Sequence, residues 1–295
     1  MPTIVFPAYR IFTDATADIS LSMMDGLPRV EIIPMDVEIG GESYSYGPNG
    51  NLNINRFYQM QREGQFATTS QINPMAYMKA FEAALRDGYD VLYICFSSGL
   101  SGTINNAQMC ATELREKYPL RKIICVDSLC ASVGEGFLVR EAARMQAKGL
   151  SIDELAKWIE DHRLKVCHWF TVDAFDHLKH GGRVSASTAT VGTMLQIKPL
   201  LHVTDDGKLE VTGKPRGRKR AMQLQLAQMK QGWTPDEGEF VLIGHGDCAD
   251  RASELREKVL TEFPDANVMI AEIGPVIGAH TGPGVLALFY WGNNR

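Results

Sequence analysis

The sequence contains no C-x-x-C pair. Cys95, Cys110, Cys125, Cys130, Cys167 and Cys248 stand apart from one another, which argues against a zinc or disulfide framework and predicts reduced thiols. No apolar run is long enough to cross a bilayer, and the first residues lack a basic segment followed by an apolar stretch and a small-residue cleavage site, so a cytoplasmic protein is expected. Neither a G-x-x-x-x-G-K-[ST] loop nor a G-x-G-x-x-G turn between a strand and a helix occurs, so ATP is not expected to bind and no cofactor is implied. His162, His168, His177 and His180 lie close in sequence but match no H-E-x-x-H spacing and fall on different helix faces, so no metal site is expected. A formal charge of −5 argues against broad nucleic-acid binding. Internal repeats and low-complexity segments are missing as well.

What is present is a core-forming chain of 295 residues, 45% of them apolar, enough for two domains. Val91–Phe96 reads as a buried strand, Ile104–Tyr118 as a helix, Lys122–Asp127 as a second strand and the segment around Phe137–Ala147 as a second helix. This alternation predicts a parallel α/β layer. A further helix is expected around Ser151–Cys167, leading to a strand at Trp169–Val172, with Leu209–Val211 and Phe240–Ile243 as strands of a second α/β unit. A boundary near Lys165 therefore divides the chain into residues 1–165 and 166–295. Gly40-Gly41 and the Tyr46–Gly50 turn predict a small hairpin excursion near residues 38–55.

Four polar segments are candidates for chemistry. Phe96-Ser97-Ser98-Gly99-Leu100-Ser101-Gly102-Thr103 joins a strand to a helix through four hydroxyls and two glycines, at the strand end where α/β sheets bind ligands and where unpaired helix N–H groups add positive character. Thr68-Thr69-Ser70-Gln71 precedes Asn73-Pro74, an N-cap and first-turn proline for a helix over Met75–Arg86. Gly274–Gly284 frames His280 with glycines and prolines that predict an irregular loop, and Asp14 and Asp18 mark a polar turn whose simplest role is capping. Gly99-Leu100-Ser101-Gly102-Thr103 comes within one residue of a G-x-S-x-G nucleophile elbow. An enzyme acting on a small anionic substrate, with Ser101 as nucleophile or His280 as acid/base, is the alternative to a binding protein.

Together with Phe170-Thr171-Val172-Asp173, Leu178–Ser185, Gln196–Leu201 and Asp206-Gly207-Lys208, these segments run in order from about Thr13 to Phe289 and closely resemble the bacterial DegV family, whose members bind fatty acids. The resemblance implies a two-domain DegV-like α/β fold, with a parallel α/β/α first domain, a second α/β domain and the ligand between them. It implies a carrier, not an enzyme, that encloses a long-chain fatty acid and presents its carboxylate to a separate ATP-dependent fatty acid kinase. Position by position, Thr69 and Ser101 match the hydroxyls that hold the carboxylate, His280 the histidine near it, and Arg183 an arginine at the polar end, with Ser70 in the supporting network. Gly102 adds a backbone N–H. A carboxylate is acceptor-only, so hydroxyl and N–H donors can hold it without a neutralising cation. Such bonds contribute roughly 1.5–3 kcal/mol each and buried methylenes ~0.8 kcal/mol apiece, so the acyl chain supplies most of the affinity. Met194-Leu195, Leu200-Leu201 and Val285–Phe289 read as core in preference to lipid wall. Arg183 has a second reading, as a helix-terminal residue paired with a surface carboxylate. Lys214-Pro215-Arg216-Gly217-Arg218-Lys219-Arg220 carries five cations in seven residues. The resemblance places that run at the face offered to the kinase, with Arg218 and then Arg216 as docking residues.

Overall fold

The computed structural model describes residues 8–184, 196–235 and 240–295. Its first half is built on a parallel sheet of strands β1 (Tyr9–Asp14), β2 (Val30–Ile33), β6 (Asp90–Cys95) and β7 (Ile123–Asp127), in the order β2-β1-β6-β7. Central β6 is buried on both faces and reads as a near-continuous apolar run. Helices α2 (Pro74–Arg86) and α3 (Thr103–Lys117) cover one face, and α4 (Val133–Ala147) with α5 (Ile152–His162) covers the other. Asn73 caps α2 as expected, accepting a hydrogen bond from the N–H of Met75 at 2.9 Å, with Pro74 in the first turn.

The hairpin excursion is part of a larger unit. Strands β3 (Met35–Ile39) and β4 (Glu42–Tyr46) turn at Gly40-Gly41, both at positive φ, and β5 (Ala67–Thr69) adds a third antiparallel strand in the order β4-β3-β5. Helix α1 (Ile54–Arg62) lies between β4 and β5 in the chain.

From Val166 onward the chain forms a six-stranded mixed sheet. Its order is β10-β9-β8-β13-β11-β12, from β8 (Val166–Thr171), β9 (Leu200–Val203), β10 (Leu209–Gly213), β11 (Phe240–His245), β12 (Asn267–Glu272) and β13 (Leu286–Trp291). Only β11 and β12 run parallel; the other pairs are antiparallel. The short α6 (Asp176–His180) follows β8, while α7 (Arg218–Gly232) and α8 (Ala249–Glu262) pack on the outer face through Met222, Leu226, Leu255 and Val259. The inner face turns toward α4 and the first half of the chain.

Two expectations are corrected. The helix begun at Ser151 ends at His162, not Cys167: a 3-10 turn at Arg163–Lys165 leads directly into β8. Ser151 and Glu154 form a reciprocal capping box at its start. The segment Gly274–Gly284 is not an irregular loop throughout but contains a helix, α9 (Pro275–Thr281). Proline at the first helical position favours helix entry, and Gly282 at φ 74° ends it.

Candidate functional site

Strand alternation on the mixed sheet and three loops of the first half enclose a cavity of about 340 Å³, within the range of small-molecule sites. Val285, Ala287 and Phe289, at period two, face it, as do His168 and Phe170 of β8; Leu286 and Leu288 point instead into the outer core. The apolar run Val285–Phe289 is therefore split between cavity wall and core. Leu200 and Leu201 are core, and Met194-Leu195 lies outside the described residues. Val203, Leu209, Leu178, Ile273, Val276 and Ile277 extend the apolar wall from the second half, with Phe96 and Leu100 facing them from the first.

Thr69, Ser70, Ser101, Gly102, Arg183 and His280 all line this one cavity. Thr69 ends β5, where its Oγ1 lies 2.8 Å from Nε2 of His280 on α9. His280 is held neutral, its pKa pushed down to about 4 by burial and then by the neighbouring Arg183, His180 and His177. Its buried Nδ1 has no hydrogen-bond partner, which matches a bare lone pair there and a proton on Nε2 donated to Thr69. The Thr69 hydroxyl hydrogen is then free for a ligand. Gly181 explains the close packing of this ring: a Cβ at that position would sit 2.1 Å from His280 Nδ1.

Ser101 shows the same economy. Its Oγ accepts from the N–H of Thr103 at 3.3 Å and lies 2.8 Å from the buried Thr103 hydroxyl, which can donate to it and leave the Ser101 hydrogen available. Gly102 is the N-cap of α3, without a side-chain cap, and its N–H makes no hydrogen bond within the described residues. Gln71, a member of the Thr68–Gln71 cluster to which the sequence assigns no role, lies against it: a Cβ on Gly102 would approach Gln71 Nε2 to 2.9 Å. Of the four hydroxyls in the Phe96–Thr103 turn, only Ser101 faces the cavity; Ser97 donates to the Gly207 carbonyl at 2.7 Å, joining the two halves of the chain.

Arg183 donates to the carbonyls of Leu100, at 3.3 Å, and of Gly181, and meets no carboxylate among the described residues. The surface-ion-pair reading is thus replaced by a half-buried cation at the cavity, with its charged form disfavoured by desolvation. No hydrogen bond joins Ser101 to His280 among the described residues: the histidine is engaged with Thr69 and the serine with Thr103. Arg216 is exposed, whereas Arg218 forms a two-pronged ion pair with Asp173, at 2.7 and 3.2 Å.

Three deeper polar residues also line the cavity, and sequence reasoning assigned none of them. His168 is fully buried and held neutral by desolvation; its Nδ1–H donates to the Val166 carbonyl at 2.8 Å and its Nε2 accepts from the N–H of Ala131 at 3.3 Å. The Ser132 hydroxyl donates to Asp18 at 2.6 Å. Thr16 Oγ1 touches Asp14 and, at 2.8 Å, Glu135. A hydroxyl has one hydrogen, so one of these two carboxyls must carry a proton, in keeping with the upward pKa shift that burial imposes on both. The polar turn at Asp14 caps a 3-10 helix as expected, through the Thr16 N–H at 3.0 Å. Asp18 does more: it also accepts from the N–H of Gly274 at 2.9 Å, tying the start of α9 to the first half. The six cysteines are free thiols, five buried and Cys125 half-buried. The four clustered histidines disperse: His162 stacks on Trp158, His177 and His180 flank Phe66, and His168 enters the cavity wall.

No helix among the described residues is long and apolar enough to cross a membrane. The chain is 39% identical to a DegV domain-containing protein of Clostridium perfringens over 97% of its own length and 98% of that protein's. Its fold superposes with a TM-score of 0.84 on a DegV family protein from Thermus thermophilus described for fatty acid binding, at 28% identity, covering 97% of this chain and 100% of that one. A fatty acid binding DegV family protein from Streptococcus agalactiae gives the same TM-score of 0.84 at 26% identity, over 98% and 100% of the two chains. The family described as "Uncharacterised protein, DegV family" matches residues 8–293, and with that span and those relatives this chain belongs to the DegV family.

Proposed function

We propose that this protein binds a long-chain fatty acid in the cavity between the parallel and mixed sheets and presents its carboxylate to a separate ATP-dependent kinase. The observation that carries the reading is the distribution of uncommitted hydrogen-bonding capacity. Around the deep wall, Thr16, Ser132 and His168 spend their polar atoms on protein partners and show the ligand largely carbon. At the other end, Thr69, Ser101 and the Gly102 N–H can all donate at once, beside the Arg183 cation. A ligand with one anionic end and a long apolar body fits both. The fatty acids named for the Thermus and Streptococcus proteins have that form.

Ser101 lacks a histidine base and His280 is neutral and engaged with Thr69, which favours a carrier over hydrolysis through either residue. The resemblance supplies the kinase, and exposed Arg216 beside Arg218 supplies a cationic face for steering it. The change from parallel to mixed sheet at Val166 supports a division of the chain at Lys165, with the ligand at the junction. Titration of delipidated protein with a long-chain fatty acid tests the head-group assignment. The Thr69→Ala/Ser101→Ala pair should bind at least tenfold more weakly while remaining folded; wild-type affinity in that pair rejects it.

A further inference from the structure

On the opposite side of β8 from the cavity lies a second polar cluster that fatty acid binding does not use. Phe170 faces the cavity, so Thr171 turns to the outer face, where it lines a small cleft with Asp173, Lys198, Arg218 and Arg251. Three cations surround one carboxylate. Lys198 Nζ lies 3.1 Å from Asp173, Arg218 pairs with it at 2.7 Å, and Arg251 at 3.3 Å. Burial pushes the Asp173 carboxyl up, but these partners outweigh it and hold the group below the usual range, so Asp173 is ionised and the cluster keeps two surplus positive charges. The positive end of α7 adds to them: the helix begins at Arg218, and Gly217 before it provides no side-chain cap. An independent observation marks the cleft floor. Thr171 is 7% exposed, and its Oγ1 has no hydrogen-bond partner.

We propose that this cluster is an anion site for a phosphate-type dianion, either free phosphate or the phosphate of a monoester, with one ligand oxygen entering the cleft to accept from Thr171 and the others held by Arg251, Lys198 and Arg218. A dianion neutralises the surplus of two charges. The cleft, about 10 Å³, has room for one oxygen atom. Arg218, with its side chain 47% exposed, is the cation that can swing over the incoming group, while Lys198 and Arg251, at 18% and 22%, stay in place. Gly284 lets the wall close around Asp173, since a Cβ there would lie 2.4 Å from its Oδ2.

The test is calorimetric titration of the full chain, with no kinase present, using inorganic phosphate and AMP at constant ionic strength and chloride as the control. Wild type should bind phosphate, AMP or both. Thr171→Val should weaken that binding about tenfold and Arg251→Met at least as much. Because Thr171 Oγ1 lacks a partner, the valine should not lower the melting temperature of the ligand-free protein. Binding of phosphate and AMP alike assigns the site to the phosphate group alone, and binding of AMP only assigns it to a nucleotide monoester. Heats no larger than with chloride, binding unchanged in both variants, or a valine variant that melts lower without ligand because its hydroxyl served a structural water would each overturn the proposal. Fatty acid titration of Thr171→Val, expected unchanged, keeps this outcome separate from that of the carrier reading.

Discussion

The two ends of the cavity are built from the same residue types, threonine, serine and histidine, yet they do different work. At the deep end Thr16, Ser132 and His168 are fastened to buried partners and stiffen the wall. At the other end Thr69 pairs with His280 and Ser101 with Thr103, in arrangements that can leave a hydroxyl hydrogen of Thr69 and of Ser101 to the cavity. Residue identity does not separate the two. What separates them is whether hydrogen-bonding capacity is left over after the fold is satisfied: at the deep end the carboxyls of Asp14, Asp18 and Glu135 take up Thr16 and Ser132, and backbone groups take up His168.

Substitutions made at each end of the cavity separate the two. Gly181→Val drives a branched side chain into His280, since even a Cβ would lie 2.1 Å from Nδ1. It should cost more fatty acid affinity than any other single substitution at the head-group end, on the order of a hundredfold if the ring is displaced from Thr69, read by titration. Next, Thr16→Val should lower stability by about 1–3 kcal/mol, because Asp14 and Glu135 lose a buried partner, and should change affinity little in the protein that remains folded. Thr69→Ala should do the reverse, with stability kept and affinity reduced. Denaturant unfolding beside lipid titration reads both, and equal patterns from the two threonines would erase the distinction.

A smaller effect concerns pH. Asp18 has its pKa raised to about 7, chiefly by burial, against a value near 4 in the unfolded chain. The folded state therefore holds this proton between about pH 4 and 7 where the unfolded state does not, so its contribution is present at low pH and is lost as pH rises through 7. Asp18→Asn should flatten the fall in stability between about pH 4 and 7. His280, lowered to about 4, acts in the other direction: the unfolded chain protonates first, so stability falls as pH drops from above 6.5 toward 4. The smallest effect is expected for Arg216→Ala, which should leave lipid affinity unchanged and slow acyl phosphate formation by a cognate kinase, with added salt reproducing the loss.

Much of this molecule was legible in the chain because local rules and global fold agree. Of the parallel strands, β6 and β7 announce themselves as apolar runs, and Asn73-Pro74 as a helix start. Thr69 and Ser101 stood out because hydroxyls cluster just before a helix start, beside glycines in the Phe96–Thr103 turn and before Asn73-Pro74 in the Thr68–Gln71 segment. What stayed hidden depends on long-range placement. The α9 helix was masked by its own glycines, whose role is to admit neighbours: a Cβ on Gly278 would collide with Tyr58, and one on Gly274 with Tyr46 and Asp18. His168 sits in an apolar strand, and only the alternation His168, Phe170 with Val285, Ala287, Phe289 could have marked one face as the cavity wall. Arg218 looked like a free docking cation because Asp173, its partner, lies 45 residues earlier in the chain.

We propose that the cavity holds an acyl chain with its carboxylate at Thr69 and Ser101. Native mass spectrometry of the purified protein, followed by addition of long-chain fatty acids to the delipidated form, tests it most directly. A bound long-chain fatty acid is expected in the purified protein, with one equivalent rebound after delipidation. Consistent absence of bound lipid, together with no uptake of added fatty acid by a folded protein, would contradict it.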